Sequence, residues 1–299
     1  MPAFPARLLC CALLVMAGAP NWVSAADPVP AETKTPATDT TTPAVAEAKS
    51  GAEATPAAAS ADLALPTAPE ALLLARLEAK TLAADFIKLG DDAQPILARY
   101  RAATKLPAKG AVLFIPAPGH FIGDDAVIAA ALAELPGGGW SVLAVQTPLL
   151  PMVASMKHYE DRHDQALERA KKALEYLAQQ HTPASVVVGR AGSIELAREV
   201  ATLAGEVTAL VALGPWSGQI GASKLPLFDV SSDRDRAALA CARERYAEAG
   251  RAKTVVYKQV VLSGADQRFS GFESEITRRI RGFAEHLPAP GKVTSAPGS

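Results

Sequence analysis

The 299-residue chain is short of several things that specialised functions depend on. Neither sign of charge is in excess: 30 Lys and Arg stand against 31 Asp and Glu, a net charge of -1. Without a global field the protein is not built to wrap nucleic acid, and a polyanion would need a local patch. No G-x-x-x-x-G-K-[ST] or G-x-G-x-x-G loop occurs, so nucleotide cofactors have no anchor and no cofactor is expected. No apolar run reaches the roughly 20 residues that cross a bilayer as a helix, and no transmembrane segment is expected in the mature chain. Cysteine is scarce, with 3 in all, which excludes a disulfide-stapled scaffold.

What is present is unevenly spread. Residues 1–26 carry one positive charge, Arg7, then an apolar stretch from Leu8 to Ala19, then Val23-Ser24-Ala25-Ala26. That order is a secretory signal peptide cleaved near Ala25 or Ala26, and it predicts export to the periplasm. Cys10 and Cys11 lie at the start of the apolar core instead of just after it, so they read as leader residues and not as a lipid anchor. Cys241 is then the last thiol, and its Ala-rich surroundings suit a small buried apolar role. Residues 27–66 are Ala, Thr, Pro, Ser and Glu without large apolar periodicity, the composition of a disordered spacer. Residues 289–299 form a loose tail on the same grounds. One domain remains, at 67–288.

Within it apolar patterns of two periods alternate. A helical pattern runs from Pro69 through Leu72, Leu73, Leu77, Leu82 and Phe86 to Gly90, and Pro95 to Arg101 alternates like an edge strand. Apolar runs at 111–115, 140–145, 185–188, 207–213, 225–230 and 255–262 predict strands, and the continuous ones fit strands covered on both faces. Helices are predicted at 124–135, 159–180, 194–203, 235–249 and 272–287. This succession argues a three-layer α/β domain with a mostly parallel central sheet, whose chemistry gathers beyond the carboxyl ends of the strands.

The loop after the 185–188 strand reads Gly189-Arg190-Ala191-Gly192-Ser193. It has the place and spacing of a nucleophile elbow, G-x-S-x-G, with alanine where the serine belongs. The same order calls for an acid after a later strand and a histidine after the last one. Asp235 is the better placed acid and Asp233 the second; the histidine position falls on Gln267. None of His120, His158, His163, His181 and His286 lies in that loop. An alanine cannot attack and an amide cannot take a proton, and losses of this kind cost about 10⁴ to 10⁶ in rate.

These residues, with Gly110-Ala111-Val112-Leu113, Pro118-Gly119-His120, Gly139-Trp140 and Gly264-Ala265-Asp266 followed by Phe269 and Gly271, resemble the periplasmic α/β-hydrolase-like family of unknown function found in proteobacteria. The resemblance covers 77–287. It implies the fold and the export, and lends no reaction.

Further features carry two readings each. Pro118-Gly119-His120-Phe121 follows the first central strand, where it either supplies backbone donors to an oxyanion beside Ala191 or is a turn with an exposed His120. Arg190 either holds an anion at the helix start with free amides such as that of Gly192, or is a solvated surface arginine. Gly119, His120, Arg190 and Gly192 are thus the candidate ligand contacts. His158, Glu160, Asp161, His163 and Asp164 cluster, but a five-residue spacing does not align the two histidines on one helical face; an exposed helix start is favoured, and no metal site is expected. Arg278, Arg279 and Arg281 read as the wet side of the last helix.

The expectation is therefore a hydrolase-like protein without triad catalysis that binds a small molecule or a cell-envelope partner. The alternative is a hydrolase with a non-standard arrangement, using Ser193 or Ser232 with Asp233 or Asp235, or His120 as base.

Overall fold

The computed structural model describes residues 69–79, 82–91, 93–151, 154–182, 184–218, 220, 225–252 and 256–287. The leader, spacer and tail expected at 1–26, 27–66 and 289–299 lie outside them. In chain order the elements are α1 (Pro69–Glu78), β1 (Phe86–Leu89), β2 (Ile96–Arg101), β3 (Gly110–Ile115), α2 (Ala126–Glu134), β4 (Trp140–Val145), α3 (Met156–Glu160), α4 (His163–Gln179), β5 (Ala184–Arg190), α5 (Ile194–Leu203), β6 (Ala209–Leu213), β7 (Leu227–Ser232), α6 (Arg236–Ala252), β8 (Tyr257–Leu262) and α7 (Glu273–Glu285).

The eight strands form one sheet in the order β1-β2-β4-β3-β5-β6-β7-β8. Pairing is parallel from β4 across to β8, and β2 alone runs against its neighbours β1 and β4. The central strands are buried along their whole length, the outcome their unbroken apolar runs require, because side chains on both faces must leave water. Two apolar layers result. One joins Phe114, Val186 and Val211 to Ile128 and Leu132 of α2 and Ile276, Ile280 and Phe283 of α7. The other joins Leu113, Val187 and Leu210 to Ala170 and Leu177 of α4 and Ala197 and Val200 of α5. The three-layer α/β reading holds.

Local expectations change in three places. The helix expected to reach Gly90 stops at Glu78, and Phe86 to Leu89 is a strand paired antiparallel with β2. Phe86 therefore belongs to a sheet, not to the stripe of the preceding helix. The Pro95 to Arg101 segment is in consequence not the edge, since β1 covers it. The helix expected at 159–180 is broken at Asp161 and Arg162 into α3 and α4. At the start of α3, His158 Nδ1 accepts from the Ser155 amide at 3.0 Å, so His158 is a capping residue.

Candidate functional site

The turn between β5 and α5 is set by close packing. A Cβ on Gly189 would lie 2.6 Å from Ala197 Cβ and 2.8 Å from Ile194 Cα, so only glycine lets the helix sit this near the strand. Ala191 follows at φ 45, a left-handed conformation that costs an L-residue about 1–2 kcal/mol. Residues 191–193 make a short 3₁₀ turn, and Ser193, 3% exposed, leads into α5. The turn thus has the strained geometry of an elbow that presents a side chain above the sheet. The side chain presented is a methyl group.

Beyond β7 and β8 the residues expected at the acid and the histidine positions meet. Gln267 Nε2 donates to Asp235 Oδ2 at 2.7 Å. Asp235 also accepts from the Ala238 amide at 3.0 Å, which fixes its carboxylate at the start of α6. Asp233 serves the loop instead: it accepts from Ser263 Oγ and from the Gly264 amide, each at 2.8 Å. The Ser263 hydroxyl, and after it the Gly264 amide, hold the Asp233 carboxyl below its usual range. Asp266 is held low likewise, by the amide and the hydroxyl of Ser270. The loop after β8 also approaches the elbow, because a Cβ on Gly214 would lie 3.9 Å from both Ala191 N and Phe269 Cε2.

Arg190 matches neither sequence reading. It is buried at 9% exposure, its Nη1 donates to both oxygens of Asp125 at 2.6 Å, and its guanidinium lies 5.9 Å from the Phe269 ring centre. Asp125 in turn caps α2, accepting from the amides of Val127 and Ile128. The charge is matched within the fold, so Arg190 is neither a solvated arginine nor open to an anion.

The β3 loop is similarly committed. Gln146, fully buried, accepts from the Ile122 amide at 3.0 Å and donates to the carbonyls of His120 and Thr147 at 2.9 and 3.0 Å. The His120 side chain is exposed. A Cβ on Gly119 would lie 2.7 Å from the Tyr159 hydroxyl, so a side chain there would meet that ring, although Gly119 itself is exposed. Arg169 donates to the Gln146 carbonyl and is clamped by Glu70 through two bonds of 2.8 Å.

A cavity of ≈ 240 Å³ lies beside the elbow, between the β3 loop, the β4 loop and the start of α4. Gly192 and Ser193 line it, as do Thr147 and His163; Gly119, His120, Arg190, Ala191, Asp235 and Gln267 do not. His163 Nε2 lies 2.7 Å from Glu199 Oε2. Ser232, a fallback nucleophile, is 1% exposed within β7 and out of reach of a substrate. Cys241 is half-buried on α6 and not a core residue.

Sequence reasoning missed a buried polar centre in β7. Asp229, wholly buried, binds Arg245 by two bonds of 2.9 and 3.0 Å, the Tyr257 hydroxyl at 2.6 Å and Gln259 at 3.0 Å. Burial, reinforced by the Asp229 carboxylate, pushes the Tyr257 phenol up. An acid within the apolar strand segment Leu227-Phe228-Asp229-Val230 was the available signal, since a charge there must be paired.

No family model and no curated protein matches the chain. Solved structures do. The chain is similar to a dienelactone hydrolase from Anabaena variabilis (14% identity, TM-score 0.51, 68% of this chain and 96% of that one). It is similar to an α/β hydrolase-type protein of unknown function from Agrobacterium tumefaciens (13%, 0.52, 69% and 100%) and to a lidless α/β serine hydrolase from Xanthomonas campestris (15%, 0.50, 70% and 98%). Identities this low establish the fold alone: it is α/β-hydrolase-like.

Proposed function

We propose that this α/β-hydrolase-like chain is an exported binding protein that keeps the hydrolase frame without serine-triad hydrolysis. It holds a small molecule or a cell-envelope partner in or beside the cleft at the elbow. The observation that carries the reading is Ala191 at φ 45 in a close-packed strand-to-helix turn, with the Gln267 amide on Asp235 where an imidazole is needed. A methyl group cannot form an acyl intermediate, and a side-chain amide has no proton-accepting nitrogen near neutral pH. Export is supported by the order of charge, apolar core and small residues in 1–26.

The test is hydrolysis of p-nitrophenyl acetate and butyrate by the purified protein. The reading requires no turnover above a heat-inactivated control. A second reading, hydrolysis by other groups, has one observation in its favour: Ser193 and His163 line one cavity, and His163 is oriented by Glu199. Turnover that survives Ala191→Val but is lost in Ser193→Ala or His163→Gln would establish that arrangement and overturn the first reading.

A further inference from the structure

We propose that α1 is a latch. Through the carboxylate of Glu70 it holds both ends of the 146–149 segment, so that docking of the helix and the shape of the cavity beside the elbow are coupled. Only the bearing of the latch on a ligand rests on the binding-protein reading.

The grip comes from one side chain. Glu70 lies in the first turn of α1, where an acid ordinarily favours the free amides of its own helix. Among the described residues its oxygens accept from elsewhere: Oε1 from the Leu149 amide at 2.6 Å, and both oxygens from Arg169 at 2.8 Å. Arg169 passes the contact on, since its Nη1 also donates to the Gln146 carbonyl at 3.3 Å. Gln146 and Leu149 bracket Thr147 and Pro148, which belong to the cavity wall. Arg169 is buried and pairs with no other acid among the described residues. A buried guanidinium that loses its carboxylate is left uncompensated, so departure of α1 displaces Arg169 and frees the segment at both ends.

The rest of α1 is lightly attached. None of its residues is buried, and Leu73, Leu74 and Leu77 lie half-buried against the core. A void of ≈ 10 Å³, room for about one water molecule, remains where Leu73 and Leu74 meet Pro95, Leu97 and Gln146. Glu78 pairs with Lys88 at 2.7 Å on the surface, where an ion pair adds little. An element with so little buried apolar area opens at far lower cost than the sheet. A pull on the residues before Pro69 reaches the domain through this helix and reaches the cavity through Glu70. By linkage the coupling is reciprocal: an occupant that shifts the 147–148 wall changes α1 docking by the same factor.

The Gln146 side chain stands outside the latch. Its amide is tied to Ile122, His120 and Thr147 whether or not α1 is docked, which makes the Ile122 amide an internal control.

The experiment follows the full chain by amide hydrogen exchange, by tryptic cleavage after Arg76, and by methyl NMR of Thr147, Ala166 and Leu196. Glu70→Gln keeps the shape and removes the charge. Leu77→Lys loosens α1 with Glu70 intact, and Glu78→Gln breaks a contact outside the latch. Circular dichroism confirms the fold of each. We expect Glu70→Gln and Leu77→Lys to speed exchange at Leu149 and cleavage after Arg76 about tenfold or more. Both should move the Thr147 and Leu196 resonances in one common direction, with Ile122 exchange unchanged and Glu78→Gln like the parent.

Faster exchange at Leu149 in Glu70→Gln alone, with Leu77→Lys like the parent, reduces the contact to a local bond and overturns the latch. Unmoved Thr147 and Leu196 resonances in both variants overturn the coupling to the cavity. Equal acceleration at Ile122 shows loosening of the whole domain and overturns the assignment to α1. No ligand enters these measurements, so their failure leaves the binding-protein reading standing, and turnover in the ester assay leaves the latch standing.

Discussion

Replacing Ala191 by glycine should make the protein more stable, against the usual effect of glycine next to a helix. At φ 45 the alanine Cβ is crowded by its own backbone, and the left-handed conformation costs about 1–2 kcal/mol in an L-residue and almost nothing in glycine. Against this, glycine adds about 0.5–1 kcal/mol of backbone entropy to the unfolded chain. The difference favours Ala191→Gly by about 0.5–1 kcal/mol, which in a domain of 150–250 residues raises Tm by roughly 1–4 °C. Ala191→Val is the matched control, because a β-branched side chain at positive φ adds strain, and its Tm should fall. Thermal and urea unfolding followed by circular dichroism measure both, with an unchanged urea slope as the check that only stability has moved. A glycine variant less stable than the parent would refute the strained turn. The elbow argument would then lose its geometric basis, since strain of this kind persists only where the surroundings enforce it.

Ala191→Ser combined with Gln267→His should yield measurable hydrolysis of p-nitrophenyl acetate, and neither change alone should; a folded, inactive double variant would show that these positions do not form a triad. Asp125→Ala removes the α2 cap and strands Arg190, a loss of about 4–5 kcal/mol in urea unfolding. Asp125→Ala with Arg190→Met should cost less than the sum of the two single changes, because no charge is left buried alone. Gly189→Ala forces a Cβ into 2.6 Å contact with Ala197 and should destabilise by about 3 kcal/mol or prevent folding. Asp233 has its folded-state pKa lowered, so its contribution is present above about pH 4 and is lost as pH falls through the lowered value. Asp233→Asn should therefore flatten the fall of Tm below pH 4.

Much of the frame is legible in the sequence because strands buried on both faces must be apolar throughout. Ala111 to Ile115, Trp140 to Val145 and Ser185 to Val188 show this without help from any partner. Phe86 to Leu89 does not: four residues are too few to establish a period, and the helical stripe ahead of them runs on smoothly through Leu82. At the site, Gly189, Ala191 and Ser193 are readable from spacing, since a tight turn demands small residues at fixed intervals. The order of elements is enough to bring Gln267 and Asp235 into one neighbourhood. The bond between Arg190 and Asp125 spans 65 residues, and no local pattern marks which of many acids an arginine will meet. The cavity is harder still, because Thr147, Ser193 and His163 come together only when the β4 loop, the elbow and the start of α4 are packed.

The Gln146 clamp has a consequence for hydrogen exchange. Loop amides ordinarily exchange through local opening at little cost in free energy. The Ile122 amide, although it sits outside any helix or strand, donates to a side chain that is wholly buried and is itself held from two other carbonyls. It cannot open while Gln146 stays in place, so its deuterium uptake should be as slow as that of Leu113 in the centre of the sheet and should follow the unfolding of the whole domain.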